Sequence, residues 1–574
     1  MASENEQQET AYRLEKLGTG AGAGWFSCPP ERETGLEEGF GHLAECPMDR
    51  FMHDHVLSRI SSLEPDEVRR LLDRPEPHVR ALACEACLGA ERLQGLAARF
   101  SPADLADLAG HTPDIRIRWW LEQASEAGLY WVRAFSHNTL LHEPLPVPGE
   151  ADREIPVANE EIEAWRRTVV PIHEMGLAGC SGPPAAAAGS GPSRKDVRDL
   201  LRRLETLGVL EGWESRTEAT LSPYAVERPW RLDVRARQGR NRWRLTGTQT
   251  SYGRGLNIHQ SRMSCLMEVV ERCSAFASFE PDRVCDRPGL RLHTGTSEEL
   301  KARGFRLLDL DLMRLEVPYR GDSLCWVEGE EVGAEGPRTV LVPAQLAFLF
   351  VNLDEAGLTS GVSSNGLGAG ATPAMARLSS LLEVIERDAE RVVPFSPDRC
   401  FVLEAEDPRV SEMLRELGKK GVHIRIVDLT PEWGVPCYQA FVEAPGGIVL
   451  KGCGAHLDGR RAAVSAMTEI PWPYPYWFGT PPAPEGTRRV RLEELPCWGT
   501  GDDAGDLERL ESLLRANGYA PVYVDLTRED LGLPVCRALV PGLELMTLFD
   551  RFTPLGVRQF GHYLHRFSPD PAAP

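Results

Sequence analysis

No stretch of 18 apolar residues interrupts the chain, and no basic-then-apolar segment opens it. A membrane-spanning helix and a secretory leader are therefore not expected, and the chain reads as a cytoplasmic protein with reduced thiols. The phosphate loop GxxxxGK[ST] is missing. The phrase GLGAG at Gly366 to Gly370 falls short of GxGxxG because Ala371 takes the last glycine's place. No P-loop is expected on that ground, and a Rossmann dinucleotide site is a poor reading. Positive charge is scarce: 64 Lys and Arg stand against 85 Asp and Glu, for a net charge of −21. Phosphate backbones and anionic membranes demand basic surface, so neither nucleic acid nor membrane is an expected partner. The 14 cysteines show little pattern. The single CxxC, Cys84 to Cys87, sits in helix-like sequence without a second pair, which reads as buried small apolar residues rather than a zinc site.

What is present is globular. The 574 residues are 42% hydrophobic and 26% charged, enough for two or three domains. Residues 1–44 read as a flexible N-terminal tail, polar and then glycine-rich. Residues 45–178 read as a helical domain containing a short repeat. LEPDEVRRLLDRPEPHVRALACEA from Leu63 aligns with FSPADLADLAGHTPDIRIRWWLEQ from Phe100, pairing Pro65 with Pro102, Val79 with Ile115 and Arg80 with Arg116. A period of 36 to 37 residues suits paired helices of the HEAT kind, with a helical bundle as the alternative. Residues 179–195, rich in Ala, Gly and Pro, read as a linker. Ser193 is a candidate cap for the amphipathic helix that follows, where a winged helix is a weaker reading.

From 196 to 574 strands and helices alternate, predicting an α+β domain. It carries an internal echo: IVDLTPEWGVPCYQAFV from Ile426 resembles YVDLTREDLGLPVCRALV from Tyr523, which suggests duplicated halves. A second echo bears on chemistry. LLEVIERDAE holds Glu383, Glu386 and Arg387, and LMEVVERCSA, 115 residues earlier, holds Glu268, Glu271 and Arg272. On a helix, positions i and i+3 share a face, so each copy sets two carboxylates side by side on an apolar background. One such pair is most often a solvated face. Two copies, each after a glycine- or hydroxyl-rich entry, suit Mg²⁺, which prefers oxygen ligands and bridges phosphates.

These phrases carry a resemblance. GRG…SRMSCLMEVVERCSA, SSNGLGAG…LLEVIERDAE, GAHLD…AMTE and VDLTREDLGLPVCRALVPGLE stand in the order and spacing of the YcaO family, which residues 197 to 574 resemble. The resemblance implies ATP- and Mg²⁺-dependent activation of a peptide backbone amide by phosphorylation of its oxygen, leading to azolines or thioamides. By position it implies that Glu268, Glu271, Glu383 and Glu386 hold metal and serve catalysis. Ser264 and Asn365 would touch nucleotide, Arg254 and Arg387 would meet phosphates, and Glu469 would be the acid of the third motif. It implies a peptide or protein substrate, a partner protein that binds a leader peptide or supplies sulfur, and a homodimer.

The sequence departs from the family pattern in places. Gly253-Arg254-Gly255 replaces Gly-Lys-Gly. In the third motif Ser465 stands where Arg is usual and Trp472 where Gln is usual, and Pro471 should end the helix there. A non-catalytic accessory protein with weak or absent ATP turnover is therefore the alternative reading, and a helical scaffold with a merely structural C-terminal domain is a third. The ending FSPDPAAP is one residue off the Pro-x-Pro-x-Pro tail of azoline-forming members. His456 is read as a loop histidine before a proton shuttle, and Trp119 and Trp120 as packing before a docking surface.

Overall fold

In a computed structural model the chain is described over residues 9–18, 24–122, 126–149, 153–176, 192–473, 478–545 and 552–567. The strands that frame the site are, in chain order, β1 (Thr10–Arg13), β2 (Tyr224–Gln238), β3 (Asn241–Gly255), β4 (Leu324–Gly333), β5 (Gly336–Pro343), β6 (Leu367–Ala369), β7 (Cys400–Glu404), β8 (Arg425–Asp428), β9 (Cys437–Ala444), β10 (Ile448–Ala455), β11 (Arg488–Arg491), β12 (Val522–Asp525) and β13 (Val535–Leu539). The helices are α1 (Pro65–Leu72), α2 (Pro77–Gly89), α3 (Pro102–Ala109), α4 (Arg116–Leu121), α5 (Glu126–Leu141), α6 (Ile258–Ala275), α7 (Pro373–Val392), α8 (Gly459–Glu469) and α9 (Val557–His565).

The strands form three main sheets, and the α+β class expected from the sequence holds. The first is built on the long antiparallel β2–β3 hairpin. The second runs β5-β4-β12-β13-β6 and the third β10-β9-β8-β7-β11. The sequence echo is a structural one. In both copies an antiparallel pair, β8–β9 and β12–β13, is closed by the same turn. Asp428 Oδ1 accepts from Thr430 N and Asp525 Oδ1 from Thr527 N, each at 2.9 Å, and the threonine hydroxyls accept from Cys437 N and Val535 N.

One helix lies on each sheet: α6 on β2–β3, α7 on β6–β13 and α8 on β9–β10. Each follows a Gly-x-Gly strand that permits close approach. A Cβ on Gly253 would lie 2.0 Å from Ser261 O, one on Gly368 2.4 Å from Ser380 N, and one on Gly454 2.3 Å from Ala462 O. No larger residue fits without moving the helix.

The N-terminal repeat spans two helix pairs, α1–α2 and α3–α4. Pro65 and Pro102 stand in the first turns of α1 and α3, and Val79 and Ile115 are buried. Cys84 and Cys87 are fully buried free thiols on α2, as expected. Trp119 packs edge-on against Phe552 at 4.8 Å, which makes it a core residue.

Two expectations need correction. The loose tail over 1–44 fails for 9–18 and 24–44: β1 pairs in parallel with β3, and Leu36–Glu45 is helical. Tyr12 is fully buried there, its hydroxyl donating to Asp49 Oδ2 at 2.6 Å. The polar composition hid these anchors because a strand on a sheet edge needs only one apolar face. The helical region keeps a small core of its own (Ala81, Cys84, Leu88, Leu105, Leu108 and Ile117), while Phe51, Val56 and Val79 join the larger apolar cluster of Trp230, Trp243 and Val269. Finally, Cys497 is disulfide-bonded, against reduced thiols throughout. The linker expected at 179–195 lies outside the described residues up to 191, and from Ser193 the chain is already capping the helix Arg194–Thr206. The proline-spaced end, 568–574, lies outside them too. No helix among the described residues is long and apolar enough to cross a membrane.

Candidate functional site

The three sheet-borne helices bring their acidic stripes together. On α6, Ser264, Glu268, Glu271 and Arg272 follow one face. On α7, Glu383, Glu386, Arg387 and Glu390 do the same, and Glu469 is the last residue of α8. Each helix starts at a side-chain cap, which fixes the rotation of its stripe. Asn257 accepts from His259 N and Gln260 N, Thr372 from Met375 N, and Asp458 from Arg460 N.

Strand N–H groups hold two of the carboxylates directly. Glu268 Oε2 accepts from Tyr252 N at 2.8 Å, and Glu386 Oε2 from Ala455 N at 3.1 Å. Two arginines lie within the cluster. Arg272 Nε stands 3.6 Å from Glu268 and 3.7 Å from Glu271. Arg387 reaches Glu386 at 3.2 Å and Glu390 at 3.3 Å. The Arg254 guanidinium acts on Glu469 through its charge, and its Nε is buried without a hydrogen-bond partner among the described residues.

Burial and mutual repulsion push most of these acids upward. Glu383 rises to about 8, from burial and then the charge of Glu271. Glu271 rises to about 7, from burial and the charge of Glu268, partly offset by Arg272. Glu469 rises to about 7, from burial and then Glu386. Glu386 is raised by burial and Glu390 against the pull of Arg387. Glu390 is the exception: burial opposes its charge, yet Lys451 and Arg387 hold it at about 2. The cluster therefore carries more carboxylate charge than its cations neutralise, and it keeps protons near neutrality.

That donor set fits divalent metal with phosphate. Hard carboxylate oxygens suit Mg²⁺, and planar, permanently charged guanidinium groups suit phosphate oxygens. No three of the glutamates bring oxygens within 4.8 Å of one another; the one such group among the described residues is His53, Asp54 and Asp114. The wider spacing leaves room for the water and phosphate ligands that Mg²⁺ retains. At His53 the place of a cation is already taken, because Glu85 at 2.7 Å helps raise the imidazole to about 10 despite burial.

Asn365, Trp472 and His456 make their contacts outside the glutamate cluster, and Ser264 stands at its exposed end. Ser264 is exposed, one turn ahead of Glu268. Asn365 is buried elsewhere on α7's flank: its Nδ2 donates to Leu545 O at 2.8 Å, and its Oδ1 has no hydrogen-bond partner among the described residues. Pro471 does end α8, at Glu469. Trp472 is a core residue, 2% exposed and stacked on Phe478 at 4.5 Å. His456 is a neutral loop histidine: burial and Arg461 lower it to about 3, and its Nδ1 accepts from Asp458 N. The sequence reading passed over Glu390, although it extends the Glu383–Glu386 stripe by one more turn. It also passed over Lys451 and Gln439, strand residues with no local signal.

The family model described as "YcaO cyclodehydratase, ATP- and Mg²⁺-binding" matches residues 252–471 and 477–544. An uncharacterized protein of Methanothermobacter thermautotrophicus is 30% identical over 339 residues, covering 52% of this chain and 82% of the relative. An uncharacterized protein in the tfuA 3′ region of Rhizobium leguminosarum bv. trifolii is 28% identical over 238 residues, 38% of this chain and 53% of the relative. Among solved structures, the chain is similar to YcaO from Methanopyrus kandleri bound with AMPPCP and Mg²⁺ (22% identity, TM-score 0.44, covering 63% of this chain and 94% of that one). It is also similar to a heterocyclase in complex with substrate and cofactor (17% identity, TM-score 0.47, covering 63% of this chain), of which it spans about half the length, 54%.

Proposed function

This chain belongs to the YcaO family, whose cofactors are ATP and Mg²⁺, and on that footing we propose that it activates a backbone amide of a ribosomally made peptide or protein, leading to an azoline or a thioamide. The observation that carries the reading is the convergence of carboxylates and arginines from α6, α7 and α8 on one buried cluster. Bound Mg²⁺-ATP supplies the phosphoryl group that turns an amide oxygen into a leaving group. The protein's part is to position and to stabilise charge. Glu268, Glu271, Glu383 and Glu386 would hold metal, with Glu268 and Glu386 already aimed by strand N–H groups. Glu271, Glu383 and Glu469 would give up their protons as metal enters. Arg254, Arg272 and Arg387 would meet phosphate oxygens.

A partner protein is part of this reading. The Rhizobium relative lies in the tfuA 3′ region, so neighbouring genes are where a protein that delivers the peptide or the sulfur would be sought. A homodimer and a cytoplasmic setting complete it. The second reading, an accessory protein without ATP turnover, is favoured by Ser465: it leaves the stripe one turn ahead of Glu469 without a cation. Calorimetry of ATP with Mg²⁺, then phosphate release with a candidate peptide and partner, decides between them. Loss of water from the peptide indicates an azoline, and oxygen-for-sulfur exchange a thioamide. Nucleotide binding without peptide-dependent phosphate release would leave the accessory reading standing.

A further inference from the structure

Glu390 connects the cluster to the N-terminal helices. Its Oε2 accepts from Arg387 Nη1 at 3.3 Å, and its Oε1 meets Lys451 Nζ at 3.1 Å and Gln439 Nε2 at 3.3 Å. Lys451 and Gln439 both lead to the end of α5. Lys451 Nζ donates to Thr139 O at 2.6 Å, a carbonyl of the last helical turn where a cation is favoured. Gln439 Oε1 lies 2.8 Å from His142 Nε2. Because the Gln439 amide points its Nε2 at Glu390, its Oε1 is the acceptor, so His142 carries its proton on Nε2.

His142 is held in this pose at a cost. Its backbone is left-handed, with φ +59°, a conformation rare for a side-chain-bearing residue and concentrated at functional positions. The ring lies flat on Phe395 at 3.9 Å with a 6° interplanar angle, and edge-on to Phe441 at 4.5 Å. Its Nδ1 is buried without a hydrogen-bond partner among the described residues. Simple packing does not require a strained residue whose one side-chain hydrogen bond among the described residues ends, two steps on, at Arg387.

We propose that the C-terminal end of α5, through His142 and the Thr139 carbonyl, is a positioning element for the nucleotide cradle. Gln439 and Lys451 fix the orientation of Glu390, and Glu390 in turn holds the fork of Arg387. His142 is thus a positioning residue supplied by the N-terminal helical region, which lies outside the matched family segment. With α5 seated, Gln439 and Lys451 are held from behind, and through Glu390 so is Arg387.

The test uses the full chain, with Mg²⁺ and AMPPCP as the probe in calorimetry, beside thermal unfolding without ligand. His142→Leu and Gln439→Leu should each weaken binding about tenfold, and the double variant should weaken it no further, as for residues acting in one chain. His142→Gln keeps an amide donor and should restore most of the affinity. Both His142 variants lose the Phe395 stack, so their unfolding temperatures should fall alike; only affinity separates a positioning role from a packing one. Lys451→Met cuts the other arm without touching the strained residue and should also weaken binding. The inference rests on the cradle reading but not on the peptide chemistry. Wild-type protein that does not bind the nucleotide overturns the cradle and this inference with it. Wild-type binding that His142→Leu and Lys451→Met leave intact, or additive losses in the double variant, overturn the positioning role alone.

Discussion

Glu383→Gln should stabilise the metal-free protein, and increasingly so as pH rises. The Glu383 carboxyl is raised from 4.5 to about 8, by burial and then by Glu271. An acid raised on folding binds more protons in the native state than in the unfolded one between those two values. Stability therefore falls as pH climbs through that window, and the full cost is present above it. One pKa unit corresponds to about 1.4 kcal/mol, so the gap between variant and wild type should widen by up to about 3 kcal/mol from about pH 5.5 to about pH 8.5. Gln keeps the shape and removes the charge, so packing does not confuse the comparison. Urea unfolding with a chelator at both pH values reads the gap directly. With Mg²⁺ and nucleotide present the order should reverse, because the wild type gains ligand stabilisation that the variant has lost. A gap that does not change with pH, or a variant less stable at both values, would refute the electrostatic account of the cluster.

Three further outcomes follow from the same geometry. Gly253→Ala should cost at least about 2 kcal/mol in chemical denaturation, because its Cβ would meet Ser261 O at 2.0 Å and Cys265 N at 2.3 Å, both backbone atoms. Arg558→Met should cost about 3 to 5 kcal/mol, since it strips the bidentate partner at 2.7 Å from a fully buried Asp388; adding Asp388→Asn should recover much of the loss in a double-mutant cycle. Trp472→Gln restores the residue usual in the family, yet should lower stability by about 3 kcal/mol without tightening Mg²⁺-nucleotide binding in calorimetry, because Trp472 lies in the apolar core beneath the third sheet.

The two Glu-x-x-Glu copies were legible because a helix repeats a chemical phrase in its own sequence. The β8–β9 and β12–β13 turns were legible for a related reason: Asp-Leu-Thr encodes its own hydrogen bonds, aspartate to threonine N–H and threonine hydroxyl to the returning strand. What stayed hidden depends on contacts between distant segments. Lys451 and Gln439 lie on neighbouring strands, and nothing near either in sequence marks them as partners of Glu390. Tyr12 was lost in a polar tail for the same reason, since its partner Asp49 is 37 residues away. Trp472 looked like a damaged motif because sequence position cannot show that a proline has just turned the chain from the cradle into the core.

The third motif becomes intelligible once the three Gly-x-Gly strands are seen as one device used three times. Gly253 and Gly255 seat α6, Gly368 and Gly370 seat α7, and Gly452 and Gly454 seat α8. The first two units deliver carboxylates from mid-helix, where the backbone field is weak. The third delivers Glu469 from a helix C-terminus cut short by Pro471. There the helix dipole, burial and the charges of Glu386 and Glu268 all oppose ionisation, with Arg387 and Arg254 acting the other way. A carboxyl raised to about 7 is only partly ionised at neutral pH, and a cation bound in front of it would complete the ionisation. The missing arginine at Ser465 makes that need larger, so the departure that first argued against nucleotide chemistry sets Glu469 beside Glu383 and Glu271 among the acids whose full ionisation depends on bound metal.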